Sequence, residues 1–106
     1  MAEDPVDSIF DALADPTRRR VLRHLAESGS ATPTELTDHV PVSRQAISKH
    51  LGVLRAAGLV TSARTGRETR FTFRPEPLTD AAAWMADVGA RWDARLDALK
   101  KRLSSS

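Results

Sequence analysis

Apolar residues recur at three- and four-residue steps along much of this chain, and the rhythm lapses in one short stretch between residues 59 and 73. The rhythm belongs to helices with one buried face, and the stretch that breaks it is rich in residues that favour strands. Ile9, Phe10 and Leu13 predict a short helix over Val6–Ala14. Val21, Leu22 and Leu25 predict another from Pro16 to about Ser28, with Asp15 as its cap, Pro16 in its first turn and Gly29 ending it. Thr32-Pro33-Thr34-Glu35 has the grammar of a capping box, and Val40-Pro41 stops that helix early. Ser43 caps a further start, Ile47, Leu51 and Leu54 share one face, and Gly58 stands where a left-handed terminating residue belongs. Two helices joined by a tight turn of about four residues form a helix-turn-helix.

In LVTSARTGRETRFTF (59–73), Val60, Ser62, Thr69, Phe71 and Phe73 alternate as strand residues, and Thr65-Gly66 supplies a turn. The expected element is a β-hairpin with its tip at Thr65–Arg67, closed by Pro75 and Pro77. From Leu78 the helical rhythm returns: Ala81, Met85, Val88, Trp92, Leu96, Leu99 and Leu103 form one apolar stripe with charged flanks. The stripe either packs on its own domain or meets another subunit. Trp84 and Trp92, both tryptophans of the chain, favour the interface. The expected fold is mainly α with a small β-hairpin, a single winged helix-turn-helix domain over 1–106. Its N-terminal helices span 6–28, the helix-turn-helix 33–57, the wing 59–74 and a long C-terminal dimerisation helix 78–103.

The 106 residues suit one domain, and 41% hydrophobic residues suffice for a modest core. No window reaches the roughly 20 apolar residues of a membrane span. The acidic start MAEDPVDSIF does not read as a secretory signal. Cysteine is absent, which excludes disulfides, a thiol nucleophile and thiolate metal ligation, and is compatible with a reducing cytoplasm. His24, His39 and His50 fall on different predicted helices without ligand spacing, so neither metal nor cofactor is expected. With no clustered His and carboxylate and no Gly-rich phosphate loop, no enzyme is expected either.

The net charge is only +2, but its distribution is uneven. Residues 1–15 carry Glu3, Asp4, Asp7, Asp11 and Asp15 and no basic residue. Residues 42–74 carry Arg44, Lys49, Arg55, Arg64, Arg67, Arg70 and Arg74 against Glu68 alone. Clustered positive charge is the footprint of a polyanion partner. At about 100° per residue, Ile47, Leu51 and Leu54 fall on one side of the helix after Ser43, and Arg44, Gln45, Ser48, Lys49 and Arg55 on the other. His50 falls beside the apolar side. The polar face holds no acid, whereas an ordinary surface helix alternates acid and base for i,i+4 pairs. Arg and Gln at such a helix start can read guanine and adenine edges in the major groove, and Ser and Lys suit phosphate. Arg64 and Arg67 flank the hairpin turn and Arg70 lies on the returning strand, where a wing follows the backbone or enters the minor groove.

These residues resemble the arsenic-repressor (ArsR) family of winged-helix bacterial regulators. FDALADPTRRRVLRHLAE (10–27) is similar to the family opening. PTELTDHVPVSRQAISKHLGVLRAAGLV (33–60) is similar to its reading head, with Ser43, Ile47, Ser48, His50, Leu51 and Leu54 in the expected places, and TSARTGRETRFTF to its wing. The resemblance covers about residues 8–103. It implies a homodimer built from the first and last helices, acting as a repressor on a pseudo-palindromic double-stranded operator. It carries DNA contact onto Ser43, Arg44, Gln45, Ser48, Lys49 and His50, with Arg64, Arg67 and Arg70 in the wing. The dimer interface falls on Phe10, Leu13, Trp84, Met85, Val88, Trp92, Leu96 and Leu99.

Family members often lose DNA affinity on binding a metal or another effector. The metal-sensing branch carries Cys-x-Cys where Thr32 and Thr34 stand here, and its C-terminal site needs a His that this last helix lacks. The tail, with Pro77-Leu78, Trp84, Trp92 and RLDAL (95–99), resembles a metal-independent branch, which leaves room for an unidentified small-molecule effector. Gly52 is a second departure, since similar sequences often carry Lys there. The competing reading is a winged-helix protein–protein adaptor that never reads DNA; the basic, acid-free face argues against it.

Overall fold

A computed structural model of the chain describes residues 4–104. The elements are α1 (Pro5–Leu13), α2 (Pro16–Ser28), β1 (Ser30–Ala31), α3 (Pro33–Thr37), α4 (Arg44–Ala56), β2 (Val60–Thr65), β3 (Glu68–Phe73) and α5 (Glu76–Ser104). This is the expected winged helix-turn-helix with a long last helix, plus one strand that no periodicity announced.

Side-chain oxygens open the first four helices, satisfying N–H groups that lack an intrahelical partner. Asp4 accepts from the N–H of Val6 at 2.9 Å, and Asp15 from those of Thr17 and Arg18 at 2.7 and 3.1 Å. Thr32 Oγ1 accepts from the N–H of Glu35 at 3.2 Å, while a Glu35 oxygen accepts from the N–H of Thr32 at 3.5 Å, so the capping box is reciprocal. Ser43 Oγ accepts from the N–H of Ala46 at 3.2 Å. The same D-P-T-R-R run that starts α2 also finishes α1. Arg18 donates to the carbonyls of Ala12 and Asp11, and Arg19 to that of Leu13, all in the last turn of α1.

The end of α4 is tied directly to the wing. The N–H of Gly58 donates to Arg55 O and the N–H of Leu59 to Leu54 O, both at 3.0 Å. These bonds make a Schellman motif, and Gly58 takes the required positive φ of 78°. The carbonyl of Leu59 accepts from the N–H of Arg74 at 2.9 Å, so one residue touches both ends of the hairpin. Leu54 and Leu59 are buried together.

The hairpin pairs Val60 with Phe73 through to Thr65 with Glu68, leaving Gly66-Arg67 as a two-residue loop. Its positive φ at Gly66 alone fits a type II′ turn. β3 is the central strand, with β1 on its other edge in antiparallel register, Ser30 opposite Thr72 and Ala31 opposite Phe71. Phe71 points into the core, and Arg70 and Thr72 to the other face.

The core joins Ile9 and Ala12 of α1, Val21, Leu22 and Leu25 of α2, Leu36 of α3, and Ile47, Leu51 and Leu54 of α4 with Leu59, Val60 and Phe71 of the wing. From α5 only Ala81 is fully buried. The helix begins at Glu76, two residues before the expected Leu78. Pro77 sits in its first turn, where a missing N–H costs nothing, and the carbonyl of Pro75 accepts from the N–H of Thr79.

Candidate nucleic-acid interface

Burial along α4 follows the three- and four-residue rhythm of its sequence. Ile47, Leu51 and Leu54 are buried, and Arg44, Gln45, Ser48, Lys49, Gly52 and Arg55 are exposed. Ser43 is exposed as well, with its oxygen accepting the Ala46 N–H and its own proton still available to donate. The outward face therefore offers guanidinium, amide, hydroxyl and ammonium donors within two turns of the helix start, with no carboxylate among them.

A cleft lies between this helix, the N-terminal end of α3 and the wing. Its lining brings together Arg44 and Ser48 of α4, Arg64 and Arg67 of the wing, Thr32, Pro33 and Thr34 at the start of α3, and Glu68, Thr69 and Phe71 of β3. The structure thus brings one reading-helix cation, Arg44, and the two wing-tip arginines to one concavity. Arg55, also outward, is engaged elsewhere: it donates to Ser62 Oγ of β2 at 3.1 Å and braces the helix against the wing.

Two of the expected contact residues are placed differently. His50 turns back into the protein: it is half-buried, and its Nδ1 is sealed from solvent without a hydrogen-bond partner. It faces the Asp15 end of α2. The carboxyl of Asp15 lies below the usual carboxylate range because the backbone N–H of Arg18 donates to it; desolvation opposes this, and the N–H of Thr17 and the charges of His50 and Arg18 add to the lowering. Arg70 does not line the cleft and is held by Glu35 and Ser30.

On the far side of the molecule, Phe10 meets Trp84 edge-on, ring centroids 5.6 Å apart, which packs α1 on α5. Phe10 and Leu13 are half-buried against the chain's own core. Along α5, Trp84, Met85, Val88, Trp92 (58% exposed), Leu99 and Leu103 (70%) are exposed, with Leu96 half-buried between them.

Residues 13–63 match the family described as a helix-turn-helix domain. The HTH-type transcriptional regulator YuzN of Bacillus subtilis (strain 168) is 47% identical over 78 residues, which is 68% of this chain and 85% of that protein. The transcriptional repressor SdpR of the same organism is 31% identical over 80 residues, 76% of this chain and 88% of that protein. Among solved structures, an ArsR-like transcriptional regulator from Rhodococcus sp. RHA1 superposes with a TM-score of 0.82 at 41% identity, covering 92% of this chain and 91% of that one.

The chain belongs to the ArsR family. As an ArsR-family protein it is a helix-turn-helix DNA-binding transcriptional regulator, not an enzyme. No helix among the described residues is long and apolar enough to cross a membrane.

One contact in this ArsR-family chain escaped the sequence. His24 and His39, separated in sequence, stack with ring centroids 4.1 Å apart and planes at 22°. His24 is on α2 and His39 lies just past α3, so only the packing of those two helices could reveal the pair. Among the described residues no three His, Asp or Glu side chains gather as a metal-binding group.

Proposed function

We propose that this protein is a homodimeric repressor that reads double-stranded operator DNA with α4 and grips the flanking backbone with its wing. The observation that carries the reading is the shared cleft: Arg44 and Ser48 of the helix line it together with Arg64 and Arg67 of the wing. A phosphate strand running through that gap would be neutralised from both sides. In this reading Arg44 and Gln45 contact base edges, Ser43, Ser48 and Lys49 add phosphate or base contacts, and Arg64 and Arg67 hold the backbone next to the groove. His50 supports the helix from behind.

The dimer places two such heads on one duplex through the exposed stripe of α5 with α1 alongside it. Apart from the Phe10 contact to Trp84, the stripe around Met85, Val88 and Trp92 is exposed among the described residues, which suits a second copy. Two-fold pairing predicts half-sites about 10 bp apart or a multiple of that. Repression is supported by the name of a relative, the repressor SdpR. In this reading the protein works in the cytoplasm, where its DNA is.

Selection of bound duplexes from a random pool, followed by affinity titration over a range of salt, tests the reading. The expected result is a pseudo-palindromic site bound far more tightly than random duplex. Arg44→Ala should relax base preference by about 1–3 kcal/mol at one position, and Arg67→Ala should weaken all sequences alike and lower the salt slope by about 1. Equal binding of selected and random duplexes at physiological salt would defeat it.

A further inference from the structure

Arg70 sits on the outer face of the central strand β3, and its side chain reaches across the short edge strand β1. One guanidinium nitrogen donates to Ser30 Oγ at 3.3 Å and another to Glu35 Oε1 at 2.9 Å. The other oxygen of Glu35 accepts the N–H of Thr32, closing the capping box of α3. A single carboxylate therefore caps the first helix of the helix-turn-helix and anchors the return strand of the wing. Arg70 is the one wing arginine of the three singled out from the sequence that stays outside the cleft of Arg44, Ser48, Arg64 and Arg67.

We infer that Arg70 is a positioning residue for DNA binding: with Glu35 it sets the wing relative to α3 and α4, and it makes no phosphate contact of its own. The inference rests on the DNA-reading function proposed above. Electrostatics separates the two roles. A guanidinium 2.9 Å from a carboxylate has its charge locally compensated, and a phosphate brought to Arg70 would also meet Glu35, whose like charge repels it. The wing tip is a two-stranded ribbon extending from the core, so a small rotation of β3 at Arg70 displaces Arg64 and Arg67 from the strand they grip. The pair is partly solvated, 39% and 50% exposed in its side chains, so the effect on affinity is moderate, about two- to five-fold.

The test titrates the full chain with its selected duplex across a salt series, comparing wild type, Arg70→Ala, Glu35→Gln and the double variant. Gln is accepted in a capping box, so Glu35→Gln removes the ion pair while α3 keeps its cap. Positioning predicts that each single variant loses about two- to five-fold, that the double loses no more than either single, and that the salt slope is unchanged. A phosphate-contacting Arg70 predicts a slope lower by about 1 in Arg70→Ala and tighter binding in Glu35→Gln; either result overturns the inference. Should wild type fail to prefer the selected duplex, the DNA reading falls but the coupling remains measurable in the free protein. Residual dipolar couplings of the amides of residues 64–69, taken relative to α4, should shift alike in both single variants, and unchanged couplings would sink the coupling itself.

Discussion

The Nε of Arg18 donates to the carbonyl of Ala12 at 2.6 Å, across the break between α1 and α2. A second bond from the same guanidinium reaches Asp11 O at 3.1 Å. The arginine that follows a helix start thus closes the preceding helix, which has no basic residue of its own in its last turn. Arg18→Ala should destabilise the fold by about 1.5–3 kcal/mol, the range for hydrogen bonds that involve a charged group, and amide exchange should quicken first in residues 11–14. Denaturant unfolding together with hydrogen exchange checks this; a loss spread evenly over the protein would assign Arg18 a different role.

Asp15 gives the stability a pH dependence of known sign. Its carboxyl is held below the ordinary value by the Arg18 and Thr17 N–H groups and by neighbouring positive charge, against some desolvation. A folded-state value below the unfolded one adds stability that is present above the unfolded value and is lost as pH falls through the folded one. Thermal melts should therefore show an acid limb beginning below about pH 4. Asn caps as well as Asp, so Asp15→Asn should match wild type near neutrality and show a shallower limb; identical limbs would remove Asp15 from the explanation.

Trp92 faces solvent in the single chain, so losing it should leave the fold intact and affect association alone. Trp92→Glu should retain its helical circular dichroism while dissociating in light-scattering chromatography at micromolar concentration. A tryptophan at the centre of an interface contributes about 2 kcal/mol or more. A wild-type protein already monomeric at that concentration would rule out the dimer.

Gly52 lies on the exposed face of α4, and a Cβ built there meets nothing within 4 Å. Its backbone φ is not positive, so the fold has no need of glycine at this position. Gly52→Ala should stabilise the protein by about 0.5–1 kcal/mol, measurable as a higher denaturation midpoint. A concurrent loss of DNA affinity would show that the duplex needs the bare backbone there; unchanged affinity would show that it does not.

The legible parts of this protein are those written in local rules. Ser43 as cap, Ile47, Leu51 and Leu54 as buried face, and Gly58 as terminator can be read from spacing because each acts within a turn or two of itself. Ser30 and Ala31 could not be read as a strand: two small residues have no alternation, and they pair only because the turn at Gly29 lays them beside Phe71 and Thr72. Arg70 looked like Arg64 and Arg67 because charge is local, while its partner Glu35 lies 35 positions away. His50 sits at the edge of the apolar arc, where helical angle alone cannot choose between groove and core; in the fold it is half-buried with its Nδ1 sealed from solvent. Pro77 reads from the sequence as the close of the hairpin, yet it stands in the first turn of α5, where a proline breaks nothing.

Leu59 has a further consequence. Its N–H closes the end of α4, its carbonyl receives the last strand of the wing, and Val60 begins the first. Reading helix and wing therefore share a rivet at the base of the wing, and the freedom left to the wing lies towards its tip. A duplex whose groove is too wide or too narrow cannot be met by opening the two at that base. In the proposed dimer, accommodation to operator spacing then falls to tilting whole heads about the α5 stripe, which would make the long helix the joint where spacing is tolerated or refused.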